Sequence, residues 1–364
     1  MKLKQITNEL ERIAPLSLQE KYDNSGLIVG SPDQEITAAL VSLDCTEVVI
    51  QEAIDSNCNM VIAHHPIVFS GLKRFNGSTY VERAVMLAIK NDIALYAIHT
   101  NFDNVHNGVN HYLCELLGIQ DTRILQPKSD LIYKLVTFVP KMHVSQVQSA
   151  LFDAGAGKIG DYSECSFSTM GEGTFKPGEG TTPFVGKVNE RHLEHEVRLE
   201  VVFEAWKKNQ ILDALNNAHP YEEVAVDVFV LDQEHSKIGS GMVGELENEM
   251  SPFEFFDKVK DILDVSMVKH TNFLTSTIKR IAVCGGSGFF LLNAAKRSGA
   301  DVFITSDVKY HEFFDAENDI VIADIGHWES EHRTIEWIQR ILNEKFATFA
   351  VHLSKTNTNP VKYY

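Results

Sequence analysis

Three apolar runs in this chain stop abruptly at metal-binding side chains, and that pattern constrains the fold more than any other feature. They are Met60-Val-Ile-Ala-His-His-Pro66, Tyr96-Ala-Ile-His-Thr-Asn-Phe-Asp103 and Asp324-Ile-Gly-His-Trp-Glu-Ser-Glu331. An apolar run closed by His, Asp or Glu reads as a buried strand that delivers side chains at its carboxyl end. Open α/β sheets hold their ligands at that end. The pattern therefore predicts an α/β protein with one site assembled from distant stretches.

The remaining periodicity agrees. Residues 38–43 read as a strand, and Thr46 is a candidate N-cap for a helix from Glu47 to Ser56, with Val49, Ile50, Ala53 and Ile54 on one face. Strands near 61–63 and 93–98 flank a helix at 82–90, a βαβ rhythm that predicts a mostly parallel sheet. From Ile281 the rhythm returns in the same order: strand, glycine turn, helix, strand, then Asp307 and His311, with a last strand ending near His327. Two matched halves predict one pseudo-symmetric domain with a mixed or parallel sheet, formed by residues 1–126 and 246–364. The middle, 127–245, differs. Strand-like 133–140, a helix at 144–154, a glycine-rich stretch, alternating 196–203, a helix at 207–218 and a strand at 223–231 give β-α-β-β-α-β if the glycine-rich stretch supplies one strand. That order predicts an inserted ferredoxin-like α+β domain.

Bulk properties set limits on function. A length of 364 residues accommodates two domains. No apolar run approaches the roughly 18 residues of a membrane helix, and the N-terminal stretch lacks the apolar segment of a signal peptide, so a cytoplasmic location is expected. Five cysteines without CxxC spacing suit reduced thiols rather than a disulfide framework or a thiolate zinc site. A formal charge of −17 argues against nonspecific nucleic-acid binding.

The site chemistry rests on the combination of residues. His64 and His65 sit where a strand turns, so both imidazoles can converge; alone, the pair reads equally as one buried and one surface histidine. His327 and Glu331 share a helical face at i, i+4. Asp103 alone reads as a turn residue. Together His64, His65, Asp103, His327 and Glu331 form a mixed N/O donor set suited to Zn, Fe, Mn, Ni or Co. Two divalent ions are expected, with Glu331 as the bridging candidate, His64 paired with His327 on one ion and His65 with Asp103 on the other. Open positions would make the site catalytic. His99, Asp307 and His311 are candidates for orienting a ligand or for general acid–base work. Gly285-Gly-Ser-Gly288 reads as a tight turn, with phosphate contact at its N–H groups as a second option. That turn lacks the full dinucleotide fingerprint, so no cofactor-binding residue is assigned beyond the metal ligands, and without a nucleophile elbow Ser or Cys nucleophilic catalysis has little support.

Several stretches also carry a family resemblance: Tyr22-Asp-Asn-Ser-Gly-Leu27, Ala63-His-His-Pro-Ile-Val-Phe69, His99-Thr-Asn-Phe-Asp-Asn104, Thr305-Ser-Asp-Val-Lys-Tyr-His311 and Gly326-His-Trp-Glu-Ser-Glu331. The chain resembles the Ngg-interacting-factor-three-like family, whose bacterial members are often called GTP cyclohydrolase I type 2 homologs. In the middle, Gly155-Ala-Gly-Lys-Ile-Gly160, Gly171-Glu-Gly-Thr-Phe175 and His219-Pro-Tyr-Glu-Glu223 resemble its long bacterial form, and the last is similar to a motif of trimeric divalent-cation-tolerance proteins. Ser306 stands where the family usually has Gly, and Trp328 where Tyr or Phe is common. The resemblance implies a dinuclear site at the five residues above and a ring, a homohexamer assembled from trimers. The expectation is a metal-dependent hydrolase, GTP cyclohydrolase-like, with Zn, Fe or Mn and a small-molecule substrate of nucleotide type. The competing expectation is a non-enzymatic metal-binding regulator, metal-delivery protein or ring-forming scaffold.

Overall fold

Fifteen strands organise the chain. In the computed structural model, which describes residues 1–364, they are β1 (Gly26–Val29), β2 (Ala38–Ser42), β3 (Met60–Ala63), β4 (Ala94–Ala97), β5 (Ile119–Pro127), β6 (Ile132–Pro140), β7 (Ser166–Phe175), β8 (His192–Glu204), β9 (Val226–Leu231), β10 (Gly239–Met250), β11 (Lys269–His270), β12 (Ile278–Val283), β13 (Val302–Thr305), β14 (Val321–Asp324) and β15 (Ala350–Leu353). Two compact units result: Met1–Pro127 with Ser236–Tyr364, and Lys128–His235.

The first unit holds two sheets where the sequence suggested one. The first sheet runs β1-β4-β3-β2-β15, with β2, β3, β4 and β15 parallel and β1 antiparallel at the edge. The second runs β11-β14-β13-β12-β10-β5, with β12, β13 and β14 parallel and the other three joined antiparallel. Strands β2, β3, β4, β13 and β14 are buried along their whole length. That explains their continuous apolar sequence, because parallel strands are covered on both faces.

The helix after β2, Glu47–Asp55, begins where expected. The Thr46 side chain accepts a hydrogen bond from the Val49 amide at 3.4 Å, and Val49, Ile50 and Ala53 are buried. In the second sheet, Phe303 of β13 is fully buried among Leu291, Leu292, Ile320 and Ile322. Phe303→Ala should cost about 3–5 kcal/mol, read as a lower midpoint in urea unfolding with circular dichroism unchanged in buffer.

The expected boundary at 245 falls inside β10, so residues 236–245 lie in the first unit. Strand β10 pairs with both β5 and β12, and Met242, Val243 and Leu246 are buried. Alternation alone reads the same in either unit; the partners decide.

The second unit has the order β6, helix Val144–Asp153, β7, β8, helix Lys208–Ala218, β9. The glycine-rich stretch supplies β7. All four strands are antiparallel in the order β7-β8-β6-β9. Val147, Leu151, Ile211 and Leu215 of the helices pack with Leu135, Val139, Leu199 and Phe203 of the sheet.

Candidate metal centre

Side chains that follow the carboxyl ends of β2, β3, β4, β13 and β14 meet at one cluster. His64 and His65 follow β3 directly, with ring centroids 5.0 Å apart and tilted by 48°. Strand β3 stops at Ala63, so the alternation that would separate the two imidazoles stops too. Asp103 closes the short helix Thr100–Asp103 after β4, and His327 and Glu331 share the helix His327–Glu331 after β14.

Donor atoms fall into three sets, each within 4.8 Å: His64, Asp103 and Glu331; His65, His327 and Glu331; and His64, His65 and His99. Glu331 belongs to the first two and divides its oxygens between them. Its Oε1 lies 3.9 Å from His64 Nε2, while Oε2 lies 3.0 Å from His65 Nε2 and 3.2 Å from His327 Nε2. His64 Nε2 lies 3.6 Å from Asp103 Oδ1. The sequence-based pairing of His64 with His327 and of His65 with Asp103 is therefore corrected. His64 goes with Asp103 and His65 with His327, because the i, i+4 spacing keeps His327 on the Oε2 side of Glu331.

Each histidine is oriented through its other nitrogen. His64 Nδ1 bonds the Ile98 carbonyl at 2.8 Å, His65 Nδ1 meets Asp44 Oδ1 at 2.8 Å, His99 Nδ1 meets Asp23 Oδ1 at 2.8 Å, and His327 Nδ1 meets Asp307 Oδ2 at 2.6 Å. This aims all four Nε2 atoms at the cluster, as metal-binding imidazoles require. Asp44 and Asp23 were not singled out from sequence. Asp44 follows the apolar run of β2 and repeats the pattern of a strand ending in an acid. Asp23 sits in the Tyr22-Asp-Asn-Ser-Gly turn with its side chain buried, and accepts from Thr100, Asn24 and Ser25 as well.

The electrostatics are those of a place built for positive charge. Burial lowers the pKa of His64 to about 3. Burial also acts against the charged form of His65, but Asp44 and Glu331 override it and push the pKa up to about 10. At His327, Glu331 and Asp307 overcome burial and raise it to about 9. Burial and the adjacent Glu331 drive Asp103 well above the usual carboxylate range, whereas Glu331 is held well below it by His327 and His65 despite burial. Among the five candidate ligands, two buried atoms have no hydrogen-bond partner, His64 Nε2 and Asp103 Oδ1. Buried polar atoms are normally satisfied, so a lone-pair donor facing a carboxyl oxygen inside a ring of imidazoles fits a cation. The set of three imidazoles and two carboxylates could hold divalent metal.

The glycine turn serves this arrangement. Gly286 has φ +64°, and a Cβ there would lie 2.4 Å from Glu331 Oε1. Its amide donates to Ser330 Oγ, while those of Gly285 and Gly288 donate to Asn110 and Thr305. Those three N–H groups are already engaged, so the phosphate-binding option for this turn is withdrawn.

Asp307 joins the cluster through His327, in a left-handed conformation with φ +57°. His99 lies with its ring centroid 5.2 Å from those of both His64 and His65. His311 does not join: it is exposed on the 3-10 helix Tyr310–Ala316 and packs against Tyr310 and Phe314. Ser306 and Trp328 displace no donor; Ser306 is buried and Trp328 stacks on His332 with centroids 4.1 Å apart.

A cavity of about 590 Å³ reaches His65 and His327, walled by Leu43, Met267, Trp328 and the C-terminal residues Asn359 and Tyr363. The tail is pinned there. Asn359 and Tyr363 donate to Glu329, and Thr358 bonds Asp44, the carboxylate that orients His65. No helix is long and apolar enough to cross a membrane.

Comparisons with known proteins identify the family of this chain. The model of the family described as Duf34/NIF3 (NGG1p interacting factor 3) matches residues 1–360. The GTP cyclohydrolase 1 type 2 homolog of Bacillus subtilis is 40% identical, over 99% of this chain and 98% of that protein. Its namesake from Staphylococcus epidermidis is 34% identical, with both chains fully covered. A crystal structure of a Bacillus cereus protein related to NIF3 superposes with a TM-score of 0.85 at 37% identity, covering 100% of this chain and 99% of the other.

Proposed function

The chain belongs to the Duf34/NIF3 family, and from that premise we propose that it is a dinuclear metal-dependent hydrolase, with GTP cyclohydrolase-like opening of the guanine imidazole ring as its reaction. The observation that carries this reading is the division of Glu331. One oxygen faces His64 and Asp103, and the other faces His65 and His327. A carboxylate split in this way suits two ions about 3.5–4 Å apart.

His64, His65, Asp103, His327 and Glu331 would hold the ions, and zinc, iron or manganese fits the donor set. Bound divalent metal supplies the acidity that makes water a nucleophile near neutral pH. The chain's own residues do the rest. Asp44 and Asp307 fix the rings of His65 and His327. His99, held by Asp23, presents its free nitrogen toward the cluster and is the residue placed to take or return a proton. The cavity beside His65 and His327 is the substrate's place, with the C-terminal tail as one wall. The name shared by the relatives supports guanine nucleotide as the substrate class.

The unit at Lys128–His235 is read as ferredoxin-like, supported by its β-α-β-β-α-β order and its antiparallel sheet. The first unit is read as pseudo-symmetric, since β1-β4-β3-β2 and β11-β14-β13-β12 share order and direction. Assembly of trimers into a cytoplasmic homohexamer belongs to the same reading. The exposed Phe229 and Val230 on edge strand β9 support self-association.

The deciding experiment is formate release from GTP by protein loaded in turn with zinc, manganese and iron. Turnover that disappears in Glu331→Gln supports the reading. A fully metallated protein that releases no formate removes this reaction and favours a metal-handling role. Asp44→Asn should weaken metal binding about 10–100-fold, read by competition with a chromogenic chelator; unchanged affinity would mean that Asp44 does not orient a ligand.

A further inference from the structure

Two sequence motifs that the metal centre does not use, Gly171-Glu-Gly-Thr-Phe175 and His219-Pro-Tyr-Glu-Glu223, meet in the Lys128–His235 unit. They wall a cavity of about 580 Å³. Its floor is Glu196 of β8, only 8% exposed. A Cβ at Gly173 would lie 2.2 Å from Glu196 Oε2, so the glycine of β7 leaves the room that this carboxylate occupies. Glu196 forms no ion pair with any Lys or Arg. The cation nearest along its strand, Arg198, is engaged with Glu200 at 2.9 Å. Burial raises the Glu196 pKa, and the neighbouring Tyr221 only partly offsets this.

Aromatic rings line the cavity together with the carboxylate. The Tyr221 centroid lies 6.0 Å from that of Phe175 and 6.2 Å from that of Phe184, and Phe138 adds a further wall. Three more carboxylates, Glu172, Glu222 and Glu223, line the same cavity, against Arg198 and the exposed Lys176.

We propose that this cavity binds a small organic ammonium ion, seated against the ring faces with its charge answered by Glu196. A buried carboxylate without a cation is costly, and ring faces attract cations. An anion would meet four carboxylates. A neutral apolar guest would leave Glu196 with the neighbouring Tyr221 and no cation. The site shares no residue with the metal centre and is independent of the hydrolase reading.

The test is calorimetric titration of the full-length chain with choline and with 3,3-dimethylbutan-1-ol, its uncharged isostere. Choline should saturate one site per chain and bind about tenfold or more tightly than the alcohol. Glu196→Gln should reduce choline to the level of the alcohol and leave the alcohol unchanged. Phe184→Leu alters a ring that is 53% exposed, so folding survives, and it should weaken choline severalfold. Equal binding of the two probes, binding of neither, or full choline affinity in Glu196→Gln would each overturn the proposal.

Discussion

Glu331→Gln is expected to lower metal affinity by on the order of 10²-fold or more, because altering even a group that only orients a ligand costs about 10–100-fold. Glutamine keeps the shape but has one acceptor oxygen and no charge. The residue faces both donor sets, so both should weaken together. Stability of the metal-free chain should change much less. His65 and His327 owe their raised pKa to Glu331 and a second carboxylate each, and without Glu331 they can release protons rather than remain as unpaired buried charges. The check is metal content after dialysis, with thermal unfolding of the stripped protein alongside. Full retention of metal, or loss of one ion's worth only, would contradict a shared carboxylate.

Gly286→Val should be the second large effect, and it acts through the backbone. At φ +64° a β-branched residue is strained, by about 1–2 kcal/mol for the left-handed conformation alone. In addition, its Cβ would occupy the space of Glu331 Oε1, 2.4 Å away. The carboxylate must then move, and the turn loses its bond from the Gly286 amide to Ser330 or opens elsewhere. Lower thermal stability and loss of metal should appear together. Gly71→Ala is the control, since a Cβ there meets nothing within 4 Å; it should leave both properties unchanged. A Gly286→Val protein with native metal content would show that the turn does not support Glu331.

Much of the site could be read from sequence because its spacing is local. His327 and Glu331 are one helical turn apart, and His64 and His65 sit where an apolar run stops, so short-range geometry suffices. The orienting carboxylates are different. Asp44 is 21 residues from His65 and Asp23 is 76 residues from His99. Neither distance leaves a periodic trace in the chain. His311 shows the opposite failure. It follows a strand end and reads as a candidate for orienting a ligand or for acid–base work, but the left-handed Asp307 and the 3-10 helix after it turn the histidine to the surface.

The sequence by itself determined that His64, His65, Asp103, His327 and Glu331 stand at or just beyond strand ends, since an apolar run must be buried and a polar residue that closes it must lie at the border of the core. Tertiary structure decided how those residues combine. It separated the strands into two sheets, assigned β10 to the first unit, and brought Glu331 within reach of His65, 266 residues away in the chain. The physical reason is that strand pairing and carboxylate–imidazole contacts depend on which surfaces are buried together, and no local pattern records the partner.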